Sequence, residues 1–85
     1  MEKKLQEVGK VSHYYTELGV AVVELSKALK QGDVIRIKGH TTDFQQKIAS
    51  MQAQHKKVTE ARPKQSIGLK VAEHVRPNDV VYKLG

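Results

Sequence analysis

The feature that most constrains the fold is a succession of short runs of β-forming residues, each bounded by turn residues. In residues 33–39, Ile35 and Ile37 alternate with mostly polar neighbours, as in a strand with one buried face. The preceding turn contains Gly32, which adopts a positive φ at little cost. Further runs occupy residues 8–15, 20–25, 66–71 and 80–84. About six such runs at short spacing predict an all-β fold, a small closed or partly open antiparallel barrel.

The last two runs contain further signals of β-structure. Ile67, Leu69 and Val71 alternate with other residues and therefore share one face of a strand. A turn follows at residues 76–79, where Pro77 fixes φ and Asn78 tolerates the left-handed region. The chain then closes with a strand over residues 80–84.

Residues 42–58 fit two kinds of secondary structure. Apolar side chains recur there at the spacing of an amphipathic helix, which Thr42 or Asp43 can cap. The positions concerned are Phe44, Ile48, Met51, His55 and Val58. The same segment also fits a strand, in which Ala49, Met51 and Ala53 share one face. Spacing alone favours the helix and an α+β fold.

The composition indicates one basic domain. The chain has 85 residues, of which 15 are Lys or Arg and 9 are Asp or Glu, for a formal charge of +6 and a pI near 9.7. Such a balance attracts polyanions such as nucleic acid, although a solvated basic surface explains it equally well. Seven scattered residues are candidate contacts to nucleic-acid phosphates. They are Arg36, Lys38, Lys47, Lys56, Lys57, Arg62 and Lys64.

The sequence also suggests where the domain begins and where the protein resides. We expect a single domain with a barrel over residues 8–84, preceded by a charged lead-in at residues 1–7. The chain has no cysteine, no apolar run long enough to span a bilayer and no secretory signal at its start. A cytoplasmic protein without a membrane partner is therefore expected.

The motifs of common enzymes are missing. Neither a phosphate-binding G-x-x-x-x-G-K-[ST] loop nor a G-x-G-x-x-G motif is present, so we expect no nucleotide binding by this chain alone. The four histidines lack metal-ligand spacing, and no serine lies in a nucleophile-elbow context. We therefore predict no catalytic residue, no metal and no cofactor, and a protein that is not an enzyme by itself.

Five segments carry a resemblance to a known family. In chain order they are residues 29–33 (LKQGD), 48–53 (IASMQA), 60–66 (EARPKQS), 67–68 (IG) and 76–80 (RPNDV). Together they resemble domain II of the translational GTPases, the β-barrel that follows the GTPase domain in elongation factor Tu and the initiation factors. The resemblance implies that residues 46–53 form a barrel strand with Ala49, Met51 and Ala53 inside, since tertiary context overrides a short propensity signal. Asn78 and Lys64 replace turn glycines of the family, and the turn at Lys64 is expected to differ because lysine adopts a positive φ only under strain.

The resemblance implies a binding module. Domain II contacts ribosomal RNA and transfer RNA, so the first hypothesis is a stand-alone module for RNA or a ribosome-associated partner. The alternative is an accessory barrel that docks on a larger enzyme, either a peptidase or a split GTPase. A similar barrel is the small C-terminal domain of some collagenase-like peptidases, which this chain also resembles.

Overall fold

The computed structural model describes residues 5–54 and 56–84, and within them every regular element is a β-strand. The strands are β1 (Leu5–Tyr15), β2 (Val20–Leu25), β3 (Leu29–Lys30), β4 (Val34–Lys38), β5 (Asp43–Lys47), β6 (Met51–Ala53), β7 (Lys56–Val58), β8 (Glu60–Ala61), β9 (Ser66–Lys70) and β10 (Val80–Leu84). Eight of them form one antiparallel sheet in the order β5-β4-β10-β1-β2-β9-β6-β7, and β3 pairs with β8. The all-β class is confirmed, although the described strands number ten rather than about six.

The core lies on the concave side of the eight-stranded sheet. Alternate residues of each strand point inward, as the two-residue period of a strand requires. Ile35 and Ile37 on β4, and Ile67 and Leu69 on β9, are fully buried as predicted.

The sheet curls without closing into a barrel. In the described segments, β5 and β7 are its two ends and no backbone ladder joins them. The side chain of Gln46 on β5 bridges part of the opening. Its Nε2 donates to the carbonyl oxygen of Lys70 over 2.9 Å, and its Oε1 accepts from the N–H of Ala72 over 2.7 Å.

The turn residues behave largely as the sequence predicts. Gly32 has a φ of 94° and Asn78 a φ of 78°. Lys64 adopts a φ of 70°, the value that a glycine would take there, in spite of the strain. Two contacts hold this turn: the Lys64 N–H donates to the Leu25 carbonyl oxygen over 2.8 Å, and Gln65 Oε1 accepts from the Arg62 N–H over 2.7 Å.

Residues 42–58 contain no helix in their described part, and the single strand predicted over 46–53 is wrong in detail. Residues 46–53 are divided between β5 and β6, with residues 48–50 between them, and β7 follows at Lys56–Val58. Ile48 is buried in this connection and Ala49 is exposed, whereas Met51 and Ala53 are buried as predicted. The bend shifts the alternation by one residue, which is why Ala49 leaves the core. His55 lies outside the described residues.

The sheet begins earlier than expected. Leu5, Gln6 and Glu7 already pair with Leu84, Lys83 and Tyr82 of β10, so residues 5–7 are part of β1 and not of a lead-in. Residues 1–4 of the predicted lead-in lie outside the described residues.

Gly39 and Asp79 bring the ends of β4 and β10 together. Asp79 is buried, and its carboxylate accepts from the Arg76 N–H over 2.9 Å. A Cβ atom at residue 39 would overlap Asp79 Oδ1. The glycine that ends the alternating run of β4 is therefore required by this close approach.

Candidate functional site on the outer face of the sheet

An apolar groove crosses the outer face of the sheet over β2 and β9. Its floor consists of Val20 and Val22 on β2 and of Gly68 on β9, which pairs with Val22. The turn between β1 and β2 forms one wall, and β6 with the following turn forms the other. The volume of the groove is about 620 Å³, within the range of small-ligand and peptide sites.

The first wall presents two exposed apolar side chains. Tyr15 is 48% exposed and Leu18 61% exposed, and both line the groove. The Tyr15 ring packs edge-on against the ring of His13, with 4.5 Å between the ring centroids. Because exposed aromatic and aliphatic side chains on one surface mark contact sites, this wall is the clearest sign of a binding function.

The turn that carries Leu18 is held by hydrogen bonds at several points. The N–H of Gly19 donates to the Tyr15 carbonyl oxygen over 2.9 Å. Lys70 Nζ donates to the Leu18 carbonyl oxygen over 2.6 Å, and the Val71 N–H donates to the Gly19 carbonyl oxygen over 3.0 Å. The turn is therefore fastened to the end of β9, and Leu18 is held away from the core.

The second wall is polar and uncharged. Gln52 and Gln54 are exposed and line the groove with their amides, which can each donate and accept hydrogen bonds. Strand β6 pairs with β9 at two positions, where Met51 lies opposite Leu69 and Gln52 lies opposite Gly68. Beyond this pair, Ser66 and Ile67 also line the groove. Ile67 has a buried side chain, so it contributes its backbone.

The seven basic residues predicted to contact phosphates occupy three separate places. Arg36 and Lys38 lie on β4 and Lys47 on the neighbouring β5, at one end of the eight-stranded sheet. Lys56 and Lys57 form part of β7, at the opposite end of that sheet. Arg62 and Lys64 lie in the connection between β8 and β9. Lys47 pairs with Val34 and Lys38 with Asp43, so Lys47 and Lys38 lie at opposite ends of the β4–β5 ladder, and the seven residues belong to three different parts of the strand order.

Arg36 is engaged within the protein. Its Nε and Nη2 donate to the two carboxylate oxygens of Asp43 over 2.8 and 3.0 Å. These hydrogen bonds and the charge of Arg36 lower the pKa of Asp43. The same hydrogen bonds and the charge of Asp43 raise the pKa of Arg36. A bidentate carboxylate leaves fewer of the guanidinium donors for a phosphate.

Sequence reasoning missed the groove. Tyr15 ends the run predicted at residues 8–15, Leu18 lies between that run and the next, and neither is among the predicted site residues. The signal that could have found it is a leucine in the otherwise polar turn Thr16–Glu17–Leu18–Gly19, since turn residues are usually polar or glycine.

The residues that the structure describes contain neither a metal-binding cluster nor a membrane-spanning helix. They contain no group of three or more histidine, aspartate or glutamate side chains placed to hold a metal ion. They also contain no helix with the length and apolar character that a bilayer crossing requires.

Comparison with known proteins shows a similarity to peptidases. No family model matches the chain. The chain is 40% identical over 79 residues to an uncharacterized protease of Methanocaldococcus jannaschii, covering 92% of this chain and 19% of the protease. It is also 40% identical over 78 residues to a collagenase of Porphyromonas gingivalis, covering 89% of this chain and 22% of the collagenase. The chain thus spans about a fifth of the length of these relatives.

The fold is similar to a domain of the same class of protein. The crystal structure of the C-terminal domain of a putative U32 peptidase from Geobacillus thermoleovorans superposes with a TM-score of 0.87 and 25% sequence identity. The superposition covers 94% of this chain and 93% of that domain. In both sequence and fold, the chain is therefore similar to a part of larger peptidases.

These findings contradict the resemblance to translational GTPases. The relatives are a protease and a collagenase, and the structural neighbour is a peptidase domain. The prediction of a translation-factor module, with its RNA and ribosome contacts, is wrong. The segments behind it, such as LKQGD and RPNDV, are mostly turns between strands, whose composition follows from backbone geometry in any small β-fold. The similarity to the C-terminal domain of collagenase-like peptidases is the part of the prediction that these comparisons support.

Proposed function

We propose that this chain is a non-catalytic accessory domain of a U32-type peptidase, docked on the part of that enzyme that carries out catalysis. The observation that carries the proposal is the match to a complete C-terminal peptidase domain, which spans 94% of this chain and 93% of that domain. The 40% identity to a protease over most of the chain supports the same function.

The docking face follows from where the rest of such an enzyme would be attached. In a C-terminal domain, the remainder of the protein precedes the first strand. Here β1 begins at Leu5, which pairs with Leu84 of β10. Tyr82 and Val34 point outward on the adjoining parts of β10 and β4, and all four side chains are only partly buried.

This face suits a contact between domains. It combines partly exposed apolar side chains with the Arg36–Asp43 ion pair at its margin. Interfaces between domains of one chain bury about 600–1,500 Å² and are more polar than obligate interfaces. A mixed surface of this kind next to the attachment point is the expected docking surface.

The test uses the Methanocaldococcus jannaschii protease with the matched 79-residue segment deleted. We expect this chain to co-elute with the truncated protease in size-exclusion chromatography. We also expect a chimera, in which this chain replaces the deleted segment, to regain peptide hydrolysis that the deletion loses. Leu84→Asp is expected to weaken co-elution, whereas Thr16→Asp, an exposed change in the turn at the other end of β1, leaves it unchanged. Absence of co-elution together with a chimera as inactive as the deletion would contradict the proposal.

A further inference from the structure

We propose that the groove over β2 and β9 binds an extended, uncharged segment of a polypeptide substrate. That the bound polypeptide is a substrate of the peptidase rests on the proposed function. Binding by the groove itself is measured on this chain without the enzyme, so that the two proposals fail separately.

The groove is preformed. Leu18 and Tyr15 keep 61% and 48% of their surfaces in water, although neither is needed to fill the core. The bond from Lys70 Nζ to the Leu18 carbonyl oxygen fixes the turn in this position. A wall that is fixed before binding lowers the entropic cost of capturing a flexible peptide.

The floor of the groove admits a polypeptide backbone. Gly68 is an interior residue of β9, where a glycine often marks a close approach of another backbone. Its missing side chain leaves the space between Val20 and Val22 on one side and Gln52 on the other. Apolar side chains of an extended peptide would pack on the two valines.

Hydrogen-bonding groups for the peptide lie along the second wall. The Lys70 N–H donates to the Ser50 carbonyl oxygen on the side of β6. Alternate residues of an antiparallel strand direct their backbone groups to the same neighbour, so Gly68 and Ser66 face that side too. Gly68 pairs with Gln52, and the ladder described between β6 and β9 stops there. The Ser66 backbone and the amides of Gln52 and Gln54 can therefore bond to the peptide backbone, as in strand addition.

The uncharged lining of the groove restricts which peptides can bind there. None of the described residues that line the groove carries a charge at neutral pH, in a chain whose formal charge is +6. Charges of both signs lie at the margin of the groove, on Lys70, Glu24 and Lys57, the cross-strand partners of Val20, Ser66 and Gln52. Over the valines themselves, a charged side chain would lose hydration without gaining a partner among the lining residues. The groove therefore favours uncharged segments over acidic or basic ones.

The position of the groove leaves it accessible in a larger enzyme. Tyr15 ends the strand that Leu5 begins, and ten residue steps of β-strand span about 30 Å. The groove therefore lies at the end of β1 opposite to the proposed docking face. A partner domain attached before Leu5 can occupy that face while a substrate occupies the groove.

The experiment measures binding of fluorescein-labelled ten-residue peptides to this chain by fluorescence anisotropy. The first peptide is built from Val, Ser, Gln and Pro, and two others carry two Asp or two Lys in place of Ser. We expect saturable binding of the uncharged peptide, and at least about tenfold weaker binding of both charged peptides. Leu18→Asp and Gly68→Leu are each expected to weaken binding of the uncharged peptide by about tenfold or more.

Two features of the variants keep the test decisive. Leu18 is in an exposed turn, and a Cβ at residue 68 would meet Val20 Cγ1 at 3.4 Å, an ordinary contact, so both variants are expected to fold. Gln45→Asp, an exposed change on β5 outside the lining of the groove, is the matched control and should bind as the unmodified chain does. Equal binding of all three peptides, unchanged binding by folded Leu18→Asp, or no binding of the uncharged peptide would overturn the inference.

Discussion

Lys70 Nζ lies 2.6 Å from the carbonyl oxygen of Leu18 and fastens the turn between β1 and β2 to the end of β9. Removing this bond with Lys70→Met should loosen the turn, because its remaining anchors are backbone bonds such as Val71 N–H to Gly19. We expect faster hydrogen exchange at the Leu18 and Gly19 amides and about threefold to tenfold weaker binding of the uncharged peptide. The melting temperature should change little, since an exposed hydrogen bond contributes modestly to stability. Lys47→Met on β5 is the control. Unchanged exchange at both amides would show that Lys70 does not hold the turn.

Gly39→Ala should destabilise the fold. A Cβ at this position would overlap Asp79 Oδ1, and Asp79 is buried and bonded to the Arg76 N–H. Either the carboxylate or the backbone has to move, for which we expect a loss of about 1–3 kcal/mol in the free energy of unfolding by urea. Gly68→Ala is the matched control, since its Cβ would make an ordinary contact with Val20, and it should cost less than about 1 kcal/mol. Equal stability of the two variants would rule out this explanation for the glycine.

Local signals were sufficient to predict β1, β2, β4, β9 and β10 and most turns. The alternation of Ile35 and Ile37 and the glycine at residue 32 each specify local backbone geometry, and the structure agrees with both. The segment at residues 43–53 was harder because its apolar spacing fits a helix, whereas pairing of β5 with β4 and of β6 with β9 decides the outcome. Such long-range pairing leaves no trace in a single short window.

The candidate site could not be predicted for a related reason. The groove joins Tyr15, Val22, Gln52 and Gly68, which are far apart in sequence and meet only through the order of the strands. The resemblance to translational GTPases is misleading because several of its motifs are turns that any small β-fold needs. Charge alone does not define a site either, because the seven basic residues belong to three different parts of the strand order, and one of them, Arg36, is paired with Asp43.

Gln46→Ala should weaken the contact across the open side of the sheet. The Gln46 amide makes two hydrogen bonds to the backbone at the end of β9 and just after it, at Lys70 and Ala72. Each such bond contributes about 0.5–1.5 kcal/mol, so for the two bonds we expect a loss of about 1–3 kcal/mol in the free energy of unfolding by chemical denaturant. The Ala72 amide should also lose protection against hydrogen exchange. Gln45→Ala, at the neighbouring exposed position of β5, should change neither quantity. A Gln46→Ala protein as stable as the control would mean that water replaces both bonds without cost.

The Arg36–Asp43 pair should make a small contribution to stability that depends on pH. The hydrogen bonds and charge of Arg36 lower the pKa of Asp43 from its ordinary value of 3.8. A carboxylate with a lowered pKa in the folded state stabilises the fold fully above its unfolded pKa. This contribution is lost as the pH falls from about 4 through the lowered value. We expect the Asp43 carboxyl carbon to titrate below 3.8 in an NMR experiment on the unmodified chain, and to move toward 3.8 in Arg36→Met. Because both side chains are exposed, added salt should reduce the difference between the two proteins. A titration midpoint that Arg36→Met leaves unchanged would show that the ion pair does not persist in solution.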